Sequence, residues 1–346
     1  MYRKITKFLE AWKSSPHRKP LILQGARQVG KTYSVLEFGR KQYENVAYFN
    51  FETNPKLSET FAESISPDYL IPILSHIAGQ TIVKEKTLIV FDEVQLCERA
   101  LTSLKYFCED APDYHIVVAG SLLGVAVNRE KFSFPVGKVD MITLYPMDME
   151  EFMMALGENE LVEQIKSCFA TNTPLPSALH DAAMQLYRQY LVVGGMPECV
   201  MQFVETKDYI LVRHTQDTIL ASYLNDMSKY NNLNEIKKTR LAYDNVTVQL
   251  SKKNTRFQYK LIKKGGRASE FENAIEWLCL SGIVSQVFKV EQIKKPLENY
   301  RDIDSFKIYV SDLGLLCAKK DLVANDILYM VDDLNDCLLY TSDAAD

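Results

Sequence analysis

The sequence predicts an α/β fold for residues 1–146, a helical region for residues 147–233 and a smaller α+β unit from residue 234. Short apolar runs alternate with helical patterns as far as Pro146, after which one helical pattern follows another. From Asn234 two helical patterns precede two β-rich runs. Strands that alternate with helices need crossover connections, and these favour a mostly parallel sheet. We therefore expect a parallel sheet flanked by helices, followed by two helix-rich parts.

The first region contains five apolar runs of strand length. They are Pro20–Gln24, Val46–Phe51, Thr87–Phe91, His115–Ala119 and Val139–Leu144. Between the third and the fourth run, Leu101, Leu104 and Cys108 recur at helical spacing and predict a helix over Glu98–Asp110.

The helical region has clear boundary signals. Asp148 and Glu151 have the spacing of a capping box. A helix over Ala178–Val193 is expected to end where Gly194 takes a left-handed conformation and Pro197 prevents continuation. The segment Lys207–Lys229 is also helical in pattern.

The third region, 234–336, has the element order of a winged helix. The predicted elements are helices over Glu235–Leu250 and Ala268–Leu280, followed by strands over Ile283–Val290 and Phe306–Val310.

Composition excludes several classes of protein. The 346 residues are 47% apolar and 25% charged with a net charge of −5, which is ordinary for a globular chain and unlike a disordered, collagen-like or wholly basic one. The seven cysteines are widely spaced without a C-x-x-C pair, which indicates free thiols in a reducing compartment. No apolar stretch is long enough for a bilayer. We expect a soluble cytoplasmic protein.

A phosphate-binding loop is predicted directly after the first strand. Its residues match G-x-x-x-x-G-K-[ST] and are Gly25, Ala26, Arg27, Gln28, Val29, Gly30, Lys31 and Thr32. In such a loop backbone N–H groups face phosphate oxygens, the lysine reaches the β- and γ-phosphates, and the hydroxyl binds Mg²⁺. The helix that follows adds the positive end of its dipole.

Two acids end the third predicted strand and give the site its second element. Asp92 is placed to hold Mg²⁺, and Glu93 is placed to polarise an attacking water. Ser121, after the fourth strand, would lie near the γ-phosphate if that strand runs between the first and the third, although Gly120-Ser121 is also an ordinary turn. Gln95 is expected to orient water, to contact Glu93 or to be a surface side chain, and Glu52 is a weaker candidate.

The Asp92-Glu93 pair favours an ATPase over other nucleotide enzymes. A small-molecule kinase has to avoid hydrolysis, and the N-K-x-D motif that reads guanine is absent from the sequence. A helicase is disfavoured because residues 150–234 are helical and leave no second α/β motor domain. The remaining alternative is a nucleotide-gated switch or scaffold with little turnover that binds a protein partner.

Six segments carry a family resemblance in the family's order. They are QGARQVGKT (24–32), IVFDEVQ (89–95), AGSLLG (119–124), LYPMDMEEF (144–152), LVVGGMPECV (191–200) and FKIYVSDLGLL (306–316). From residue 1 to about 335 the chain resembles the prokaryotic AAA-like ATPases that carry a C-terminal domain of unknown function. The resemblance implies an AAA-type core over 1–146, a helical lid over 147–233, and ATP with Mg²⁺.

The chain departs from this family pattern at two places. Gly137-Lys138 stands where the family usually has Gly-Arg, so an arginine finger is in question, with Arg129 and Arg188 as alternatives. The family also continues past the point where this chain ends. Residues 337–346 are expected to be a non-native tail on a truncated reading frame, the alternative being a natural acidic tail.

A basic segment, residues 237–267, stands out in a chain of net charge −5. Its ten Lys or Arg side chains and one acid, Asp244, give +9, and Phe257 and Tyr259 lie among them. Clusters of this kind bind phosphate backbones, so the segment predicts contact with DNA or RNA. The alternative is a solvated basic face. Oligomeric state stays open.

Overall fold

The structure, a computed structural model, describes residues 1–120, 135, 137–229, 232–250 and 256–329. The chain divides into two compact units, one of residues Tyr2–Tyr145 and one that starts at Pro146. Buried apolar clusters form a core in each of them.

The first unit is a five-stranded parallel sheet flanked by helices. In chain order its elements are α1 (Ile5–Ser14), β1 (Leu21–Gln24), α2 (Lys31–Gln42), β2 (Asn45–Asn50), α3 (Lys56–Glu63), α4 (Pro67–Ala78), β3 (Thr87–Asp92), α5 (Glu98–Asp110), β4 (His115–Ala119) and β5 (Asp140–Thr143). The strand order is β2-β3-β4-β1-β5, and every neighbouring pair is parallel. The predicted parallel sheet is confirmed, and β4 lies between β1 and β3.

Burial explains why the sequence predicts these strands so closely. Every residue of β3 and β4 is buried, as expected for central strands of a parallel sheet covered on both faces. Such strands read as continuous apolar runs, and the predicted bounds differ from the observed ones by a residue or less at each end. Helix α5 has the predicted bounds, with Leu101, Leu104 and Phe107 buried.

The second unit is mostly helical and ends with a small antiparallel pair of strands. Its elements are α6 (Met149–Ala155), α7 (Asn159–Thr171), α8 (Ser177–Val193), α9 (Pro197–Thr206), α10 (Tyr209–Lys229), α11 (Leu233–Leu250), α12 (Ala268–Leu280), β6 (Val284–Val290), β7 (Arg301–Val310), α13 (Leu313–Lys319) and α14 (Ala324–Leu328). Two helices precede the paired strands, as predicted. The assignment of these elements to a winged helix stays a prediction.

In the second unit the predicted start of β7 and the predicted conformation of Gly194 are wrong, whereas α8 ends at Val193 as predicted. Strand β7 begins at Arg301, five residues before Phe306, because the polar residues at its start pair with the end of β6 across a bulge. Gly194 has φ +73° and ψ −169°, so it is not in the left-handed helical region. Pro197 does more than stop α8, because it is the first residue of α9, a position where its missing N–H costs no hydrogen bond.

Two glycine-containing segments of the second unit meet at Asp312. The carboxylate of this buried residue accepts the Leu315 N–H at 2.8 Å and the Gly195 N–H at 2.6 Å. A Cβ at Gly195 would lie 1.9 Å from the Met147 carbonyl oxygen, and one at Gly314 would lie 2.4 Å from a backbone oxygen of α8. The segments 191–200 and 306–316 are therefore packed against each other at backbone distance.

Within the described ranges, no helix combines the length and the apolar content needed to cross a membrane. The six cysteines in those ranges are free thiols.

Candidate nucleotide-binding site

The loop Gly25–Thr32 connects β1 to α2 in the shape that its sequence predicts. Gly25 has φ +143°, and a Cβ there would lie 2.2 Å from the Leu144 carbonyl oxygen, so the position requires glycine. Gln28 and Gly30 also have positive φ angles, +67° and +89°. These left-handed residues curl the backbone between strand and helix, and α2 begins directly at Lys31. Ala26, Arg27 and Val29 complete the loop.

Lys31 lies inside this loop. Its side chain is buried, and Nζ donates hydrogen bonds to the carbonyl oxygens of Gly25 at 2.9 Å and Ala26 at 2.8 Å. These two hydrogen bonds hold the ammonium inside the loop. Phosphate oxygens are acceptors that can replace these carbonyls.

Thr32 and Asp92 come together although sixty residues separate them. The Thr32 hydroxyl donates to Asp92 Oδ2 at 2.9 Å, and Asp92 is buried at the end of β3. Hydroxyl and carboxylate oxygens beside a phosphate-binding loop are the donor set that Mg²⁺ prefers. The two residues predicted as metal ligands therefore fit this ion chemically. In the described chain no three His, Cys, Asp or Glu side chains cluster as a separate metal site.

Tyr48 is a site residue that sequence reasoning missed. Its hydroxyl donates to Asp92 Oδ2 at 2.7 Å and accepts from Asn50 Nδ2 at 3.2 Å. Partial burial raises the pKa of Tyr48 to about 12; the hydrogen bond from Asn50 opposes this shift and the one to Asp92 adds to it, so the phenol keeps its proton. The available signal was the sheet order, because β2 pairs with β3 and brings Asn50 opposite Asp92.

Glu93 has an unusual backbone conformation. Its φ is +51°, in the left-handed region that a residue other than glycine, Asn or Asp seldom occupies. The Glu93 N–H donates to Asp92 Oδ1 at 3.0 Å, and Gln95 Nε2 donates to Glu93 Oε2. Of the alternatives for Gln95, the structure shows the contact with Glu93. The Gln95 Oε1 atom is buried with no hydrogen-bond partner in the described chain.

Three further candidate residues remain, of which Glu52 alone lies within the described ranges. Ser121 and Arg129 lie outside the described residues, although Ala119, the last residue of β4, lies between β1 and β3 as the prediction for Ser121 required. Glu52 is exposed in a turn, where its backbone N–H donates to Asn50 Oδ1 at 2.9 Å.

Lys138 lies at the wrong edge of the sheet to act on its own phosphate loop. It precedes β5, whereas the loop follows β1, and the two strands are parallel neighbours. The Lys138 ammonium instead pairs with Glu109 at 2.9 Å. Arg188, the other described alternative for an arginine finger, lies in α8 of the second unit, and its Nε is buried with no hydrogen-bond partner in the described ranges.

Most charged side chains of the basic segment are exposed, whereas one of its aromatic residues is buried. Of its eight Lys and Arg side chains in the described ranges, all but Lys238 are exposed, whereas Lys252 and Lys253 lie outside those ranges. Phe257 is buried and stacks on Phe306 with ring centroids 5.8 Å apart. Although Phe257 lies among the cations in the sequence, its ring packs in the core that supports β7.

Comparisons with known proteins agree with this geometry. Residues 17–153 match an AAA domain family, and residues 184–326 match a domain of unknown function, DUF8612. Among curated proteins, none matches the chain in sequence.

Several solved structures are similar to the chain. The Walker-type ATPase PABY2304 of Pyrococcus abyssi is similar with a TM-score of 0.55 and 13% identity, over 92% of this chain and 95% of its own. ORC2 of Aeropyrum pernix, solved with ADPNP and ADP, has a TM-score of 0.43 and 10% identity, over 100% of this chain and 96% of its own. RuvB of Thermotoga maritima, a Holliday junction branch migration motor, has a TM-score of 0.35 and 14% identity, over 82% of this chain and 89% of its own. At 13% identity, the similarity to the Walker-type ATPase is a similarity of fold alone.

Proposed function

We propose that this chain, which belongs to the AAA-type P-loop ATPases with a C-terminal domain of unknown function, binds ATP with Mg²⁺ and hydrolyses it. The observation that carries the proposal is the contact between Thr32 and Asp92, 2.9 Å apart, beside a loop that holds the Lys31 ammonium. Two separate parts of the sequence, the loop with Lys31 and Thr32 and the end of β3 with Asp92, thus supply a cation, a hydroxyl and a carboxylate to one place.

Binding would use the backbone of Gly25–Thr32 and the amino-terminal end of α2. Backbone N–H groups of the loop and the helix dipole favour a polyphosphate there. The Lys31 ammonium would exchange its two carbonyl acceptors for phosphate oxygens, which form stronger, charge-assisted hydrogen bonds. This exchange would favour a nucleotide with β- and γ-phosphates.

Thr32 and Asp92 would hold Mg²⁺, and this ion, when bound, supplies positive charge that neutralises the phosphate oxygens during transfer. Asp92 is prepared for this role, because the hydroxyls of Thr32 and Tyr48 and the Glu93 N–H fix both of its oxygens. An orientation fixed in advance does not have to be created when the nucleotide binds.

Glu93 would act as the general base on an attacking water. Its carboxylate would accept one proton as the water oxygen bonds to the γ-phosphorus and the bond to the β–γ bridging oxygen breaks, which leaves ADP and inorganic phosphate. The left-handed backbone and the contact from Gln95 support this role, because strained residues persist where the surrounding structure holds them for function.

Steady-state phosphate release tests the proposal. The full chain should release phosphate from ATP in a Mg²⁺-dependent way, and Lys31→Ala should lose nucleotide binding. Release by Glu93→Gln should fall about a hundredfold or more, because a positioned general base contributes a factor of about 10²–10⁴. Tight ATP binding without turnover in the wild-type chain would favour the nucleotide-gated switch.

We also propose that the basic segment 237–267 contacts a nucleic-acid backbone. The exposure of seven of its described cations supports this, whereas base stacking on Phe257 has no support because that ring is buried. A location in the cytoplasm is proposed on the free thiols of the described cysteines.

A further inference from the structure

A buried arginine at the start of the chain contacts the phosphate loop from outside its motif. Arg3 is 6% exposed, and its Nη1 donates to the Val29 carbonyl oxygen at 3.0 Å. Its Nη2 donates to the Tyr145 carbonyl oxygen at 2.7 Å. One guanidinium therefore joins the middle of the loop to the chain that follows β5.

That same stretch of chain also supports the start of the loop. The Leu144 N–H donates to the Gln24 carbonyl oxygen at 2.8 Å, and the Leu144 carbonyl oxygen is the atom that excludes a Cβ from Gly25. Residues 144 and 145 thus support the loop at two points. They contact its start directly, and they are joined to Val29 through Arg3.

The contact at Val29 sets the direction of a phosphate-binding group. In a planar trans peptide the C=O of one residue and the N–H of the next point in opposite directions. A hydrogen bond that fixes the Val29 carbonyl therefore fixes the Gly30 N–H on the other side of the same peptide plane. Gly30, with φ +89°, has the conformational freedom to lose that orientation.

We infer that Arg3 is a positioning residue for the nucleotide, which clamps the Val29–Gly30 peptide so that its N–H faces the phosphates. The inference rests on the proposed function, because it assumes that the loop binds a nucleotide. Arg3 suits the role because its planar fork reaches two carbonyl oxygens at once, which the single ammonium of a lysine does less well.

Arg18 provides a matched control in the same unit. It is half-buried, and its guanidinium also bridges two backbone carbonyls, those of Lys13 at 3.0 Å and Pro112 at 3.3 Å. Those residues precede β1 and β4, at the edge of the sheet away from the loop. Arg3→Met and Arg18→Met both remove a bridging guanidinium and keep an apolar stem, but only the first changes the phosphate loop.

The test compares the dissociation constant for a fluorescent ATP analogue in the full-length wild type, Arg3→Met, Arg3→Lys and Arg18→Met, together with thermal midpoints without nucleotide. A hydrogen bond from a charged donor contributes a factor of about ten or more. Arg3→Met should bind the analogue about tenfold more weakly than Arg18→Met at a similar loss of thermal midpoint, and Arg3→Lys should lie between Arg3→Met and the wild type. In turnover, KM should rise more than kcat falls.

Three outcomes separate the possibilities. Binding by Arg3→Met within about twofold of Arg18→Met would overturn the role of Arg3, while the proposed function would stand. A wild-type chain that binds no nucleotide would overturn the proposed function itself. If Arg3→Met does not fold, Arg3→Lys carries the test, and wild-type affinity in that variant would overturn the requirement for a guanidinium.

Discussion

His115 is a buried base at the edge of the sheet away from the phosphate loop. Its Nδ1 meets the Tyr43 hydroxyl at 2.7 Å, Trp12 packs edge-on against its ring, and its Nε2 is buried with no partner in the described ranges. Burial, with smaller contributions from the cations of Arg18 and Lys13, lowers its pKa from 6.5 to about 4, and Asp113 opposes this weakly. The ring is therefore neutral in the folded protein at pH 7.

This depressed pKa predicts a loss of stability in acid. As the pH falls from 6.5 to 4, the unfolded chain binds a proton at His115 that the folded chain does not bind, so the free energy of unfolding falls. A shift of this size corresponds to about 3 kcal/mol. Urea unfolding of the wild type and of His115→Gln at pH 7 and pH 4 should show a steeper loss in the wild type.

His76, exposed on α4, is the matched control for that experiment. His76→Gln should retain the wild-type pH dependence. Equal pH dependence in His115→Gln and the wild type would contradict the account of a neutral buried ring.

At the scale of single residues, the sequence predicted the site residues that belong to a motif. It missed those that contact the site from elements distant in the sequence. Lys31, Thr32 and Asp92 lie where their motifs predict them. Tyr48 and Arg3 carry no motif, because Tyr48 reaches Asp92 from the neighbouring strand and Arg3 reaches Val29 from the chain start. Contacts of this kind depend on strand order and packing, which a single sequence does not contain.

Two helices of the second unit begin with an aspartate cap, and the two aspartates differ in how many segments they contact. Asp148 caps α6 within a capping box and accepts the Glu151 N–H at 2.9 Å. Asp312 caps α13 and also holds the Gly195 N–H, which belongs to a distant segment of the chain. The first cap is local, whereas the second joins two elements.

Because of this difference, removing the two caps should lower the free energy of unfolding by unequal amounts. Asp148→Ala should lower the stability of the second unit by about 1 kcal/mol, as is usual for a helix cap. Asp312→Ala should cost more at pH 5, because it leaves buried N–H groups of two segments without an acceptor. Denaturant unfolding followed by the fluorescence of Trp277, the buried tryptophan of α12, would compare the variants.

The pH dependence of the Asp312 effect has a defined sign. Burial raises the pKa of Asp312 from 3.8 to about 6, against the opposing effect of its backbone hydrogen bonds. Its contribution to stability is therefore complete below pH 3.8 and decreases as the pH rises through about 6. The cost of Asp312→Ala should be smaller at pH 8 than at pH 5, and a cost that grows with pH would contradict this assignment.

At the scale of elements, prediction succeeded where burial is simple. Central strands such as β3 and β4 are apolar throughout, and α5 has a regular apolar face, so their bounds follow from pattern alone. Strand β7 was predicted too short because its first five residues are mostly polar and none is buried, and the pairing with β6 makes them part of the strand. Helix α9 was missed because Pro197 signals both an end and a beginning.

The net charge of −5 conceals a strongly uneven distribution along the chain. Residues 237–267 contribute +9, so the rest of the sequence carries −14. A basic surface on an otherwise acidic chain favours a polyanionic partner, and the affinity should fall steeply with salt because binding releases counterions. Because phosphate contacts carry no base information, this binding should also tolerate changes of base sequence.

Filter binding of DNA and RNA at two salt concentrations would test the basic surface. The variant Lys260→Glu/Lys264→Glu/Arg267→Glu reverses three exposed cations of the segment and should weaken binding and lower the salt slope by about three. The control Lys289→Glu/Lys294→Glu/Lys295→Glu reverses three exposed lysines of β6 and the residues after it. Absent or salt-independent binding, or equal losses in both variants, would contradict the proposal.

At the scale of the whole molecule, the central claim is that the chain turns over ATP with Glu93 as the base. The most direct measurement is the identity of the nucleotide that remains bound after incubation with radiolabelled Mg-ATP. The account predicts ADP on the wild-type chain, ATP on Glu93→Gln and no nucleotide on Lys31→Ala. ADP on Glu93→Gln at the wild-type level would contradict it.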